Sequence, residues 1–234
     1  MEFYDVHTHQ IYKEEKDDYY QSCIYDVYPL EFEVEKDLYE HHAFSCGIHP
    51  WYSEDSKTQM DYLREIAANS RIVAIGETGL DKLKGPSFDM QIPVFKEHIV
   101  LSENIKKPVI IHCVKAWDEL IKVKRELKPS QLWIIHGYRG KPGLTKMLVR
   151  EGFYFSVGEN INIDSMQFIP MNRLFCETDV SEMNIRDVYI QASHALNIDK
   201  IEFVENISEN VKRVFPTIKP PRPFISNDHD ENEN

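Results

Sequence analysis

Side chains that commonly bind metal ions stand directly after five apolar runs of this 234-residue sequence. They are His7, His9, Glu77, His112, His136, Glu177 and Asp179. Neutral imidazoles bind Zn²⁺, Mn²⁺, iron or Co²⁺, and carboxylates add hard oxygen ligands. Because a structural zinc ion takes only about four ligands, a set of this size indicates two divalent ions. Glu77 stands in the middle of the set and is the natural residue to bridge them.

The elements that must position these side chains are short apolar runs that alternate with helical patterns. Eight runs predict strands, at residues 3–6, 23–27, 43–48, 72–76, 109–111, 132–135, 153–157 and 173–176. Helices are predicted at residues 61–68, 117–127 and 143–151, and over a stretch that contains Phe88, Ile92, Phe95 and Ile99. Pro93 falls in that stretch, so its helix should begin just before the proline, which then lies in the first turn.

The alternation of strands and helices predicts an α/β fold, and eight strands in one domain predict a single-domain (β/α)8 TIM barrel. In such a barrel the C-terminal ends of all strands open on one face, where the candidate ligands would converge. Alternate residues of a strand point to the same side, so His7 and His9 can both face the mouth. An open doubly wound sheet is the alternative fold, although the sequence contains no GxGxxG or Walker A motif.

Each candidate ligand also has a simpler interpretation when it is taken alone. A histidine at a strand end is more often a hydrogen-bonded structural residue, and Glu77 could cap a helix or pair with a lysine. Glu177 could be an outer carboxylate that orients a ligand imidazole. The metal site is favoured because the same coincidence recurs at five strand ends.

Composition limits the class of protein. With 27 basic and 39 acidic residues the net charge is −12, which argues against a general nucleic-acid coat. No apolar run approaches the ~18 residues of a membrane helix, and the first residues do not form a signal peptide. The four cysteines lie in apolar runs without a CxxC motif, so we expect reduced, mostly buried thiols in a cytoplasmic chain. The barrel domain should span residues 1–215, and residues 216–234 are predicted to be a Pro-rich, then acidic, disordered tail.

Seven short motifs make the chain resemble the TatD family of metal-dependent hydrolases, within the amidohydrolase superfamily. They are residues 5–9 (DVHTH), 47–51 (GIHPW), 74–81 (AIGETGLD), 107–112 (KPVIIH), 134–137 (IIHG), 176–179 (CETD) and 209–211 (ENV). They occur in the family's order, and the resemblance covers about residues 3–215.

The resemblance implies a (β/α)8 fold, two divalent metal ions such as Mg²⁺, Mn²⁺ or Zn²⁺, and phosphodiester hydrolysis, often of DNA. It implies one ion on His7, His9, Glu77 and Asp179, and the other on Glu77, His112 and His136. His49, in the Gly-Ile-His-Pro motif, would line the pocket near the substrate without being a metal ligand.

The chain departs from the family at three places. The family often has His-Ser-Arg after strand five, whereas here Val114 replaces the arginine and Lys115 follows it. The loop after strand six carries Arg139, which adds a cation. The family's long basic loop after Glu-Thr-Asp is absent, because residues 180–184 lead almost directly into a helical pattern. These features favour a short single strand or a DNA terminus as the substrate, held by His49, Lys115 and Arg139.

The mechanism expected from this site is hydrolysis by a hydroxide that bridges the two ions, since ions roughly 3.5–4 Å apart lower the pKa of a shared water. Asp179 is the candidate catalytic residue that moves the proton of this nucleophile. Two ions with Glu77 and Asp179 give the site a charge of about +2, which would attract one phosphate. Trp51 and Tyr138 could stack on a base, worth about 1–3 kcal/mol, whereas Phe88 should pack in the core.

Two alternatives remain open from the sequence. The same metals could hydrolyse a small ester, lactone or amide. The barrel could also bind metal or a partner without catalysis, although its complete ligand set argues against this. No membrane or protein partner is inferred.

Overall fold

Eight parallel strands form one sheet in sequence order, in a computed structural model that describes residues 1–10, 20–39 and 42–219. The strands are β1 (Glu2–Thr8), β2 (Tyr20–Val27), β3 (Ala43–Cys46), β4 (Ile72–Asp81), β5 (Val109–Val114), β6 (Trp133–Ile135), β7 (Tyr154–Val157) and β8 (Leu174–Cys176). A parallel bridge between Thr8 and Asp179 brings the end of β8 back to β1. The predicted single-domain (β/α)8 TIM barrel is therefore confirmed, and the open doubly wound alternative is wrong.

Helices follow the strands on the outside of the sheet. They are α1 (Phe32–Leu38), α2 (Ser56–Ile66), α3 (Phe88–Ile105), α4 (Trp117–Leu127), α5 (Pro142–Arg150), α6 (Ile163–Met166), α7 (Ile185–Leu196) and α8 (Lys200–Val214). All four helices predicted from periodicity are present. The loop from β8 to α7 is as short as expected.

The start of α3 differs from the prediction. The helix begins at Phe88, so Pro93 lies in its second turn rather than its first. A proline there removes the hydrogen bond to the carbonyl four residues earlier, that of Asp89. Asp89 is exposed, so water can reach its carbonyl and the helix tolerates the proline.

Strand β4 is longer than predicted, and this places Glu77 inside a strand rather than after its end. The pairing of β4 with β5 shifts register between Ile75 and Thr78, an irregularity of the kind that redirects a side chain. Gly76 makes this possible, since its φ is +141° and a Cβ there would lie 2.4 Å from the carbonyl oxygen of Ile110. The freed amide of Glu77 donates to Asp26 Oδ1 over 2.6 Å instead.

The core is formed by the strands and the inward faces of the helices. Trp133, Phe95, Phe153 and Phe155 are buried in the larger of two apolar clusters, and Phe88 packs against it as predicted. Cys23, Cys46 and Cys176 are buried free thiols, whereas Cys113 is half-buried. No helix among the described residues is long and apolar enough to cross a membrane.

The predicted tail can be compared with the structure only at its beginning. Ile218 is buried against the core, three residues beyond the expected domain boundary. Residues 220–234 lie outside the described residues, so the acidic, disordered tail stays a prediction.

Candidate metal centre

The side chains predicted to bind metal come together at one end of the barrel. His7, within β1, and His9, directly after it, lie close together, with imidazole centroids 5.0 Å apart. His7 is fully buried, whereas the side chain of His9 is 34% exposed. His112 lies within β5, beyond the predicted end of that strand, and His136 follows β6 directly.

Glu77 lies at the centre of the cluster and divides its two carboxylate oxygens between two groups of histidines. Oε1 is 2.7 Å from His112 Nδ1 and 2.8 Å from His136 Nε2. Oε2 is 3.5 Å from the Nε2 atoms of both His7 and His9. A bridging carboxylate needs this division, with one oxygen for each set of ligands.

Asp179 completes the group on the β1 side. Its Oδ1 is 3.7 Å from His7 Nε2 and 3.6 Å from His9 Nε2, and its side chain is 34% exposed. Its backbone is anchored to β1, since its N–H donates to the carbonyl of His7 over 2.9 Å and its carbonyl accepts from the amide of His9 over 3.1 Å. Its φ of +54° is one that aspartate adopts more readily than most residues.

The donor set of this cluster fits divalent cations. Both nitrogens of buried His7 lack a hydrogen-bond partner among the described residues, as does His136 Nδ1. Within the described chain, no lysine or arginine nitrogen lies within 4.0 Å of the carboxylates of Glu77 and Asp179, whose close partners are histidines. Buried acids and unpartnered imidazoles that face one another provide the ligands of a cation.

The histidine pKa values reflect the same excess of negative charge. Burial and the neighbouring His136 oppose protonation of His7, but the close carboxylate of Glu77 outweighs them and raises the pKa of His7 to about 9. Burial also opposes protonation of His136, yet Glu77 and Glu177 raise its pKa well above the usual value. Metal cations at these positions would replace the protons, because imidazole binds metal in its neutral form.

Three further carboxylates stand behind the histidines, and we call Asp26, Asp81 and Glu177 the outer carboxylates. Asp26 Oδ2 is 4.0 Å from His9 Nδ1. Asp81 Oδ2 is 3.2 Å from His112 Nε2, and Glu177 Oε1 is 3.4 Å from His136 Nδ1. Outer partners of this kind orient metal-binding imidazoles.

The sequence interpretation anticipated only one of the outer carboxylates, Glu177, and gave no role to Asp26 or Asp81. A signal existed for Asp81, because it follows Glu77 by four residues on one strand and such residues share a face. No comparable signal marked Asp26, since its contact with Glu77 crosses from β2 to β4, two strands along the sheet.

His49 lies inside the cluster, closer to the candidate ligands than a residue that only lines a pocket. Its Nε2 is 3.3 Å from Glu77 Oε1 and 3.2 Å from His112 Nδ1. Its Nδ1 accepts the backbone N–H of Trp51 over 3.2 Å, and burial lowers its pKa. A neutral ring that accepts through Nδ1 carries its proton on Nε2, which points towards Glu77 and His112. His49 forms a group with these two residues that could hold a metal ion, so its role beside the substrate stays a prediction.

Lys115 and Arg139 are both exposed, on the loops that follow β5 and β6. Tyr138 is only 3% exposed, and its hydroxyl lies 2.8 Å from Thr145 Oγ1. The prediction that Tyr138 stacks on a base is therefore wrong, because its ring is packed into the core. The ring of Trp51 carries Lys84 Nζ at 3.3 Å from its centroid, and its stacking role stays a prediction.

Comparison with known proteins places this architecture in a family. The family model described as "TatD related DNase" matches residues 5–216. A protein of Buchnera aphidicola named "Uncharacterized metal-dependent hydrolase" is 33% identical over 144 residues, 58% of this chain and 54% of that protein. A protein of Erwinia amylovora named "3'-5' ssDNA/RNA exonuclease TatD" is 28% identical over 175 residues, 68% of this chain and 67% of that protein.

A solved structure shares the fold. The TatD homologue YjjV of Escherichia coli has a TM-score of 0.74 at 20% identity, over 83% of this chain and 86% of that one. The matched sequence segment spans about half the length of the first curated relative. Since the family model covers nearly the whole barrel, the chain belongs to the TatD-related DNase family.

Proposed function

We propose that the chain is a metal-dependent phosphodiesterase that removes nucleotides from the 3′ end of single-stranded or terminal DNA. The observation that carries the proposal is the division of the Glu77 carboxylate between two groups of imidazoles. The relative named as a 3′–5′ exonuclease supports the choice of substrate.

Two sets of residues would hold the ions. His7, His9, Glu77 and Asp179 would form one set, and Glu77, His112 and His136 the other. Two bound divalent ions supply a water of lowered pKa and polarise a phosphoryl oxygen.

The chain's own groups would do the remaining work. Asp179 lies beside two ligand imidazoles and is reached by solvent, so it is the residue suited to accept and pass on a proton. His49 would donate its Nε2–H to an oxygen of the substrate. Lys115 and Arg139 would hold phosphate oxygens from the two adjacent loops.

The charge of the cluster makes the two loop cations more important than the sequence indicated. Two ions with Glu77 and Asp179 give +2, but the three outer carboxylates change this sum to −1. An anionic substrate is then not attracted by the net charge of the cluster, so Lys115 and Arg139 must supply the long-range attraction.

The net charge of −1 also favours a second candidate function, the hydrolysis of a neutral ester or lactone. A neutral substrate needs no cationic loop and experiences no repulsion from the outer carboxylates. The difference between the two candidates therefore lies in the contribution of Lys115 and Arg139.

The test is digestion of a 5′-labelled single-stranded oligonucleotide by the purified protein with Mg²⁺ or Mn²⁺, with and without a chelator. A ladder that shortens from the 3′ end, is abolished by the chelator and is weakened several-fold in Arg139→Ala supports the nuclease. The matched control is Arg150→Ala, at the far end of α5. Turnover of esters or lactones without any ladder would overturn the nuclease in favour of the second candidate.

A further inference from the structure

Asp81, one of the outer carboxylates, has both oxygens in defined use. Its Oδ1 accepts the backbone N–H groups of Leu83 over 2.7 Å and Lys84 over 3.0 Å. Its Oδ2 accepts the indole N–H of Trp51 over 2.7 Å and faces His112 Nε2 at 3.2 Å. One oxygen thus fixes the local loop, and the other is directed into the site.

The backbone of Asp81 is held as firmly as its side chain. The buried amide of Gln91, on α3, accepts the N–H of Asp81 over 2.8 Å and donates to its carbonyl over 2.8 Å. The same amide donates to the carbonyl of Pro86 over 2.6 Å. The carboxylate is therefore presented to the site by a buried scaffold and is not free to follow His112.

His112 is placed between two carboxylates, with one on each ring nitrogen. Nδ1 lies 2.7 Å from Glu77 Oε1, and Nε2 lies 3.2 Å from Asp81 Oδ2. A neutral imidazole has only one N–H, so it can donate to only one of these acceptors. The other nitrogen then faces a carboxylate with a lone pair, which is the position of a metal ligand.

We propose that Asp81 is a positioning residue that accepts the Nε2–H of His112 and so keeps Nδ1 unprotonated for the ion shared with Glu77 and His136. Asp81 thereby selects the tautomer of one metal ligand. Since Trp51 donates to the same oxygen, Asp81 also joins the loop after β3 to that ligand. The inference depends on the metal centre of the proposed function but not on a nucleic-acid substrate.

Asp81→Asn isolates this role. Asparagine keeps a carbonyl oxygen for Leu83 and Lys84, but its NH2 group faces the donors of Trp51 and His112. We expect one of the two Zn²⁺ equivalents to bind 10–100-fold more weakly, by competition with a chromophoric chelator, and the other to be unchanged. Asp89→Asn, the same change on the exposed start of α3, should leave both affinities unaltered.

Two measurements distinguish a positioning role of Asp81 from a general loss of structure at the site. Trp51→Phe removes the competing donor while leaving Asp81 and His112 in place, so Zn²⁺ affinity should stay within about threefold. In the wild-type Zn²⁺ form, long-range ¹H–¹⁵N spectra of ¹⁵N-histidine-labelled protein should show His112 protonated on Nε2. This measurement uses the wild-type protein, so it tests the proposal even if Asp81→Asn does not fold.

An Nδ1-protonated His112, or two wild-type Zn²⁺ affinities in folded Asp81→Asn, would overturn the proposal. Failure of the proposed function looks different. A protein that binds two Zn²⁺, loses one affinity in Asp81→Asn and cuts no oligonucleotide would refute the nuclease while supporting the role of Asp81.

Discussion

Polar side chains at the two ends of β1 differ in whether they have hydrogen-bond partners within the protein. At the start of the strand, Glu2 Oε2 accepts from Lys212 Nζ over 2.6 Å, from Tyr4 over 3.3 Å and from Ser208 over 3.3 Å. At the other end, both ring nitrogens of buried His7 lack a hydrogen-bond partner among the described residues. At the start of β1 the charge of Glu2 is paired within the protein, whereas at its end the imidazole nitrogens of His7 are available to bind a metal ion.

This difference indicates where stability and function are located. Glu2 lies at an exposed ion pair, and such pairs contribute about 0–1 kcal/mol. Glu77 is 4% exposed, and its close side-chain partners among the described residues are histidines, so its charge is compensated by protonated imidazoles or by a bound cation. Substitution of Glu77 should therefore change metal binding and activity, whereas substitution of Glu2 should leave both unchanged.

The largest effect is expected from Glu77→Gln. The amide cannot bridge two ions, so we expect loss of both high-affinity equivalents and a fall in kcat of more than ~100-fold, beyond the effect of an outer partner. The unfolding midpoint measured in chelator at neutral pH should also fall, because His7 and His136, whose pKa values Glu77 raises, lose their buried counter-charge. A Glu77→Gln protein that binds both ions and keeps wild-type kcat would mean that the two ends do not differ in this way.

A smaller effect is expected from His98, a buried histidine that unlike His7 has both nitrogens satisfied. Nε2 accepts the N–H of Ile48 over 3.0 Å, and Nδ1 is 2.8 Å from the carbonyl of Val94. Burial, opposed by the bond to Val94, lowers its pKa from 6.5 to about 4. The unfolded chain binds this proton first as the pH falls, so the stability that neutral His98 contributes is complete above pH 6.5 and is lost progressively towards pH 4.

His98→Gln keeps a donor and an acceptor but does not titrate. Between pH 7 and pH 4 its free energy of unfolding should fall less than that of wild type, by up to ~3 kcal/mol. Urea unfolding in chelator at each pH measures this without a contribution from metal binding. Parallel pH curves for the two proteins would mean that His98 does not limit acid stability.

The smallest effect is expected from Glu2→Gln, which serves as the matched change at the opposite end. Because Glu2 is paired at the surface, the substitution should cost at most about 1 kcal/mol, and less at high salt. Metal affinity and kcat should be unchanged. A loss of metal binding in Glu2→Gln would show that the two ends are coupled through the barrel.

The sequence predicted those features that depend on local patterning. Continuous apolar runs identified all eight strands, and the strand period placed His7 and His9 on one side. The start of α3 was wrong because solvent access to one carbonyl decides whether Pro93 is tolerated, and no local pattern reports it. Tyr138 lies two residues after the candidate ligand His136, but its ring is packed in the core against Thr145 of α5, which the local sequence does not report.

The outer carboxylates show the limit of such predictions most clearly. Asp26 accepts the backbone N–H of Glu77, which the irregular pairing of β4 leaves free. Asp81, on β4, contacts the ring of His112 on the adjacent strand β5. Both relationships arise from the register between strands, which the sequence of either strand alone does not specify. The candidate ligands could be identified from the sequence because one rule, the convergence of strand ends, applies to all of them.

Candidate ligands from the beginning and from the C-terminal part of the sequence meet where the barrel closes between β8 and β1. Asp179 pairs through its backbone with β1, and its carboxylate faces His7 and His9, about 170 residues earlier in the chain. A cation held jointly by these three side chains would fasten the first strand to the last, and closing so long a loop removes much of the freedom of the unfolded chain. The site would then act as a cross-link between β1 and the end of β8. A polypeptide truncated before residue 179 would lack this cross-link and also the backbone hydrogen bonds that Asp179 makes with His7 and His9.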